Sequence, residues 1–142
     1  MADYVIIGGG SSGGVIASRL SEDPDVTVCL LEAGGPGTSP LVSTPGAFAA
    51  LIQDYRINTL NWRFNTDPSK ALNDRRLYNP RGKMLGGSSG MNGMVYIRGD
   101  RSDFDHWAEL GNDGWGYNDV LPYFRKAENN ERGEDEFHGS SG

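Results

Sequence analysis

Near its start this chain has an apolar run that stops on glycine and restarts as a helix. Residues Tyr4 to Ile7 are followed by Gly8, Gly9 and Gly10, and from Ser12 onward Val15, Ile16 and Leu20 recur at helical spacing until Pro24 stops the pattern. The first run reads as a buried strand entering a tight turn and the second as a helix. A second apolar run, "VTVCLLE" from Val26 to Glu32, reads as another buried strand. Near-continuous apolar strands flanking a helix describe a βαβ unit, with a parallel sheet covered by helices. The fold class is therefore α/β.

The turn itself has the spacing Gly8-x-Gly10-x-x-Gly13. In a dinucleotide fold the first glycine permits the turn, the second lets backbone approach a pyrophosphate, and the third lets helix pack on strand. Ser11 and Ser12 open the helix, whose N-terminal N–H groups and dipole favour phosphate. Glu32 lies nineteen residues after Gly13, at the end of the second strand. There a carboxylate can accept both hydroxyls of an adenosine ribose and would repel a 2′-phosphate, which disfavours NADP. FAD and NAD share this fingerprint, and the turn does not separate them.

Glycine is used heavily, 21 residues of 142, against an average near 7%. The formal charge of −6 excludes the basic footprint of a nucleic-acid binder. The single Cys29 lies in an apolar run and is expected to be a buried, inert thiol. No apolar stretch approaches the length of a membrane span, and a soluble, cytoplasmic setting is expected.

Beyond Glu32, "AGGPGTSPLVSTPG" reads as a long loop or excursion without hydrophobic period. Two alternating aromatic segments around Trp62–Thr66 and Leu77–Arg81 predict a two-stranded ribbon. Ser102 is the expected N-cap of one later helix, "DFDHWAEL", ended by Gly111; Asn118 is the expected cap of another, "DVLPYFRKAE", with Pro122 in its first turn. The acidic tail "NNERGEDEFHGSSG" has no period.

The tetrapeptide Gly-Ser-Ser-Gly occurs at Gly10–Gly13, Gly87–Gly90 and Gly139–Gly142 with unrelated flanks, so it is not a structural repeat. Around the second copy, "GKMLGGSSGMNGMVYIRGDRSDFD" combines glycines with Met84, Leu85, Met91, Met94, Val95 and Tyr96. A flexible linker does not carry such side chains. A loop that packs on one side and offers bare backbone on the other does, and it can bring N–H groups against a flat ring; a glycine-rich core turn is the alternative.

This stretch resembles the first signature of the glucose-methanol-choline (GMC) family of FAD oxidoreductases along its length, from Gly82 and Lys83 through Gly86, Gly87, Asn92 and Gly99 to Asp105. "DYVIIGGGSSGG", "LLEAGGP", "LNWRFNT", "GWGYNDVLPYFRKAENN" and "FHG" agree with it, so the resemblance spans essentially the whole chain. Within the family the look is closest to bacterial choline and alcohol dehydrogenases. The resemblance implies a Rossmann-like FAD-binding βαβ unit with a glycine-rich flavin loop and short helices. All of residues 1–142 would be the N-terminal part of a discontinuous FAD-binding domain in a larger two-domain fold. Gly8, Gly10, Ser11, Ser12 and Gly13 would hold the FAD pyrophosphate, and Glu32 with Ala33 the ribose. Arg81, Leu85, Gly86, Gly90, Asn92, Gly93, Met94 and Val95 would line the flavin, and Trp62 the cofactor pocket. Where some members attach FAD through a histidine, this chain has Met91, so a noncovalent cofactor is expected.

The implied activity is oxidation of a primary alcohol, choline or another, to an aldehyde by hydride transfer to flavin N5, with oxygen or a quinone-like acceptor. The family's catalytic histidine lies in a C-terminal region that has no counterpart here. His106 and His138 do not match it and are expected to be ordinary exposed or half-buried residues, so no catalytic or metal-binding residue is assigned. One βαβ unit also leaves sheet edge and apolar faces bare, which predicts association of the chain with itself. A dinucleotide-binding module and an inactive fragment are the competing readings. The third Gly-Ser-Ser-Gly is expected to be loop, a cloning scar or a point of truncation.

Overall fold

A computed structural model describes residues 1–53 and 59–142. The chain divides into two units, Met1–Val95 and Tyr96–Gly142.

In the first unit, β1 (Tyr4–Ile7), α1 (Ser11–Leu20) and β2 (Val28–Leu31) form the expected βαβ unit. The strands pair in parallel, from Tyr4 opposite Val28 to Ile7 opposite Leu31. The Gly8 N–H extends the ladder to the Leu31 carbonyl at 2.7 Å. The strands are less buried than their composition predicts: Tyr4, Val5, Ile7 and Leu31 are exposed, and so are Val15 and Ile16 on α1. A two-stranded sheet carrying one crossover helix has too few neighbours to cover apolar residues on every face. Cys29 is accordingly half-buried and free, not buried.

The segment after β2 is not one long loop. Pro40–Ser43 form α2, capped by the Ser39 hydroxyl, and a 3₁₀ turn at Pro45–Ala47 leads into α3 (Phe48–Ile52). Proline at the first helical position is compatible with helix initiation, because the missing N–H has no intrahelical acceptor there. These short helices cover the unit's core. Leu51, Met84 and Met91 are buried together, with Val42, Ile52 and Leu60 packed against them.

The ribbon forms where the alternation places it, as β3 (Phe64–Asn65) antiparallel to β4 (Tyr78–Asn79). Buried Asn61 ties it to α3. Its amide nitrogen donates to the Leu51 carbonyl at 3.1 Å and to Tyr78 Oη at 2.9 Å. Its oxygen accepts the N–H groups of Arg63 and Arg81. Four hydrogen bonds leave no unmet polar group in that interior position.

The second unit holds α4 (Arg101–Glu109) and α5 (Tyr117–Lys126). The N-cap of α4 is Asp100, not Ser102: Asp100 and Asp103 form a reciprocal capping box. An aspartate one position ahead of the helix meets the free N–H of Ser102 at 2.9 Å and also receives its hydroxyl at 2.7 Å. Asn118 likewise is inside α5. Gly116 occupies the cap position and provides no side-chain hydrogen bond, while Asp105 of α4 accepts the Tyr117 N–H at 2.9 Å. Pro122 therefore falls in the second turn of α5, not the first. Phe104 is buried and meets the rings of Trp107, Tyr117 and Phe124 at centroid distances of 5.4, 6.2 and 5.6 Å.

The acidic tail folds back on α5. Glu128 is buried and accepts from Arg98 Nη2 at 2.8 Å, His138 Nδ1 at 3.0 Å and the Gly139 N–H at 3.2 Å. The third Gly-Ser-Ser-Gly is thus packed rather than trailing: Ser140 bridges Asn129, and a Cβ at Gly139 would lie 1.9 Å from the Arg125 carbonyl oxygen. His138 has a structural partner, whereas His106 remains exposed beside Glu109 at 3.4 Å.

Candidate functional site

The site grows from the first glycine turn. Gly8 has φ of +96°, a conformation that L-residues with a Cβ rarely adopt. A Cβ at Gly13 would lie 1.9 Å from the Gly8 carbonyl oxygen, so helix and strand approach here only because Gly13 lacks one. The two ends of the G-x-G-x-x-G spacing are thereby locked against each other. No side chain caps α1, and its first-turn N–H groups point out of the helix without intrahelical acceptors.

Glu32 stands at the end of β2, and its carboxylate is already at work. One oxygen accepts the Gly9 N–H and the other the Gly34 N–H, both at 2.8 Å. The carboxylate pins the glycine turn to the start of the next loop and keeps further lone pairs for a ligand.

The second glycine loop docks directly on the first. Gly86 N–H donates to the Gly9 carbonyl at 2.7 Å, and Leu85 N–H to the Gly35 carbonyl at 2.8 Å. A Cβ at Gly87 would lie 2.9 Å from Gly10 Cα. The hydroxyls of Ser11 and Ser89 are hydrogen-bonded. Two Gly-Ser-Ser-Gly copies far apart in the chain are therefore neighbours in space, contacting through glycine backbone and serine hydroxyl.

Together these parts bound a groove of about 880 Å³. Gly8, Gly10, Ser11, Ser12 and Gly13 line it at the turn, Glu32 and Ala33 at the end of β2, and Trp62 and Arg81 on the ribbon. Nine expected positions are thus brought together. The groove also takes in Ile7, Leu31, Phe64, Gly82, Gly87 and Ser88, none of them expected there from the sequence. For Gly87 and Ser88 the signal was present, since they belong to the second copy of the tetrapeptide. Trp62 and Phe64 stack at 5.6 Å and 9°, with Lys83 Nζ 4.7 Å from the Trp62 ring.

The remaining expected positions lie outside this groove. Gly86 ties the loop to the glycine turn, and Leu85 ties it to Gly35 beyond β2. Gly90, Asn92 and Met94 border a small cavity of about 80 Å³ against α2 and α3. Gly93 has open space where a Cβ would be, and Val95 is exposed. The Asn92 side chain is a strut: its nitrogen donates to the Ser89 carbonyl at 2.9 Å and its oxygen accepts the Met94 N–H at 2.8 Å. Met94 has φ of +56°. Among the described residues no cluster of metal-ligating side chains exists, and no helix is long and apolar enough to cross a membrane.

The groove leaves open space beside two of its glycines. A Cβ at Gly8 would meet nothing within 4 Å, and one at Gly10 only Gly87 Cα at 3.9 Å. Both glycines face space that a side chain would fill. Free helix N–H groups and bare glycine backbone, with the Glu32 carboxylate hydrogen-bonded to the same turn, are the kinds of donor and acceptor that a dinucleotide site uses.

Comparison with known proteins gives that set a lineage. The family model described as GMC oxidoreductase matches residues 2–138. The chain belongs to the GMC oxidoreductase family. Oxygen-dependent choline dehydrogenase of Yersinia pestis (strain Pestoides F) is 54% identical to this GMC chain over 143 residues, covering 99% of the chain and 25% of that protein. Pyridoxine 4-oxidase from Mesorbium loti superimposes with a TM-score of 0.89 at 40% identity, covering 100% of this chain and 27% of its own. A formate oxidase of Aspergillus oryzae RIB40, studied for its FAD modification, superimposes with a TM-score of 0.83 at 32% identity, over 99% of this chain and 26% of its own. This GMC chain thus spans about a quarter of the length of the relatives it matches, and its α/β fold is theirs over that span.

Proposed function

We propose that this chain is the N-terminal part of a discontinuous FAD-binding domain in an oxidoreductase that acts on the CH–OH group of a primary alcohol, of the choline type. The observation that carries the proposal is the groove, where α1's N-terminus, Glu32 and the second glycine loop converge. Gly8, Gly10, Ser11, Ser12 and Gly13 hold the pyrophosphate, Glu32 and Ala33 the adenosine ribose, and Arg81 and Trp62 the wall between. Leu85, Gly86, Gly90 and Asn92 to Val95 form the ring-binding edge. FAD bound there supplies the hydride-accepting centre for alcohol oxidation. The chain's own residues bind and orient. No acid or base is assigned among them.

The cofactor is held without a covalent bond. Met91 is buried against Leu51 and Met84 and has no nucleophilic nitrogen to offer. The named relative that depends on oxygen favours oxygen over a quinone-like acceptor.

The test is an absorption spectrum after gel filtration with FAD. Flavin bands that co-elute with the chain and are released by acid precipitation are expected. Protein that elutes colourless, and whose fluorescence is unchanged by FAD, would sink the assignment. Alcohol oxidation belongs to the full-length protein carrying this segment, where choline is the first substrate to try.

A further inference from the structure

One chain of polar contacts connects the phosphate turn to the ring-binding edge. It begins at the Ser11 hydroxyl, at the first position of α1, which is bonded to the Ser89 hydroxyl. The Ser89 carbonyl accepts from Asn92 Nδ2 at 2.9 Å, and Asn92 Oδ1 accepts the Met94 N–H at 2.8 Å. The last member, Met94, sits at positive φ, where a residue with a Cβ persists only if its surroundings hold it. The backbone beneath the chain is equally tight, with Gly87 against Gly10 and Gly86 N–H on the Gly9 carbonyl.

We propose that Ser89 and Asn92 are positioning residues, which transmit occupancy of the phosphate turn to the backbone of Met94 and Val95. The inference rests on the dinucleotide assignment above. A hydroxyl has one proton to donate and two lone pairs. Without a ligand, either serine can donate to the other. A phosphate oxygen at α1's N-terminus takes the Ser11 proton, which leaves Ser11 accepting from Ser89 alone. The pair then has one orientation, and hydrogen bonds aligned in one direction strengthen each other. The Ser89 hydroxyl is held, its backbone carbonyl with it, and Asn92 passes that restraint to Met94. Because coupling is reciprocal, a loop already held in place also favours the phosphate.

The experiment is an ADP titration of the full chain, with amide hydrogen exchange followed from Ser89 to Val95. ADP is the probe because it carries the pyrophosphate and no flavin ring. In the unaltered chain ADP is expected to slow exchange at Met94 and Val95. Ser89→Ala should reduce that gain by about 2- to 10-fold, the worth of one hydrogen bond, while Ser89→Thr keeps it. Asn92→Ala, measured with ADP at saturation, should lose the slowing at Met94 and decides the matter if Ser89→Ala does not fold, because Asn92 bonds the Ser89 carbonyl and the Met94 N–H and lies outside the phosphate turn. If Ser89→Ala binds ADP and shows the full gain, or if ADP binds the unaltered chain without slowing exchange in the loop, the proposal is overturned and the dinucleotide assignment stands. If ADP does not bind the unaltered chain, both fall.

Discussion

Adjacent glycines in α1 have opposite reasons for being glycine. Gly13 is in contact: a Cβ there would meet the Gly8 carbonyl oxygen at 1.9 Å, and neither backbone can give way without opening the turn. Gly13→Ala is expected to cost about 1–3 kcal/mol, as overpacking does, with loss of FAD retention. Gly14 has nothing within 4 Å of its would-be Cβ, so Gly14→Ala should stabilise by about 0.5–1 kcal/mol through helix propensity. Urea denaturation of the two variants side by side checks both signs. Glu32 carries a third prediction. Its two oxygens each accept a backbone N–H, and a glutamine would present one amide nitrogen to a donor. Glu32→Gln should therefore cost about 1–3 kcal/mol without any nucleotide present; unchanged stability in the ligand-free protein would reduce Glu32 to a ribose contact. The glycine spacing made the turn legible from the sequence, because each glycine answers a local steric demand. The engagement of Glu32 was not legible, since the bond to Gly9, 23 residues away, depends on where the glycine turn and the end of β2 come to rest together.

Elements were easier to find than their ends. The βαβ unit and the ribbon follow from period alone, whereas both helix starts in the second unit were displaced by competing acidic side chains. Asp100 lies ahead of Ser102 and takes its N–H, and Asp105 reaches across from α4 to serve α5. That displacement puts exposed Pro122 where its ring opposes the preceding turn and Asn118's carbonyl lacks a helical donor. Pro122→Ala should raise the melting temperature, by as much as about 3 kcal/mol of stability; a lower melting temperature would show that the proline stiffens the unfolded chain more than it strains α5. The tail's attachment to α5 is acid-sensitive. Burial pushes the Glu128 carboxyl up, but hydrogen bonds from His138 and the Gly139 N–H, with the charges of His138 and Arg98, outweigh it and hold the pKa below the ordinary 4.5. Asp135 is also held low, by the N–H groups of Phe137 and His138. A carboxyl with a depressed folded pKa contributes stability above its unfolded value, and that stability is lost as pH falls through the folded one. The amide of Gly139 should thus become exchange-labile only below about pH 4.5, and Glu128→Gln should leave it labile at neutral pH as well.

For the molecule as a whole, sequence and structure agree on what is left bare. Tyr4, Val5 and Ile7 on β1, Leu31 on β2 and Val15 and Ile16 on α1 are all exposed, a density of apolar surface that promotes association. Sedimentation velocity at rising concentration should show self-association, and Val15→Lys with Ile16→Lys should reduce it; a monomer at every concentration would refute this. The family was legible because its signature is nearly continuous in the chain. The groove was legible only in halves, because periodicity reports on neighbours and says nothing about which distant loops will meet. That meeting also sets a schedule. Ser11 and Ser89 are separated by 78 positions, and at typical synthesis rates of 5–20 residues per second roughly 4–16 s pass between the making of one and the other. Within that interval the nascent chain completes its strand, turn and helix, but until Ser89 is made it has only one wall of the groove. On the proposed assignment a cofactor captured early would be held by half a site, and firm loading would wait for the second glycine loop to leave the ribosome.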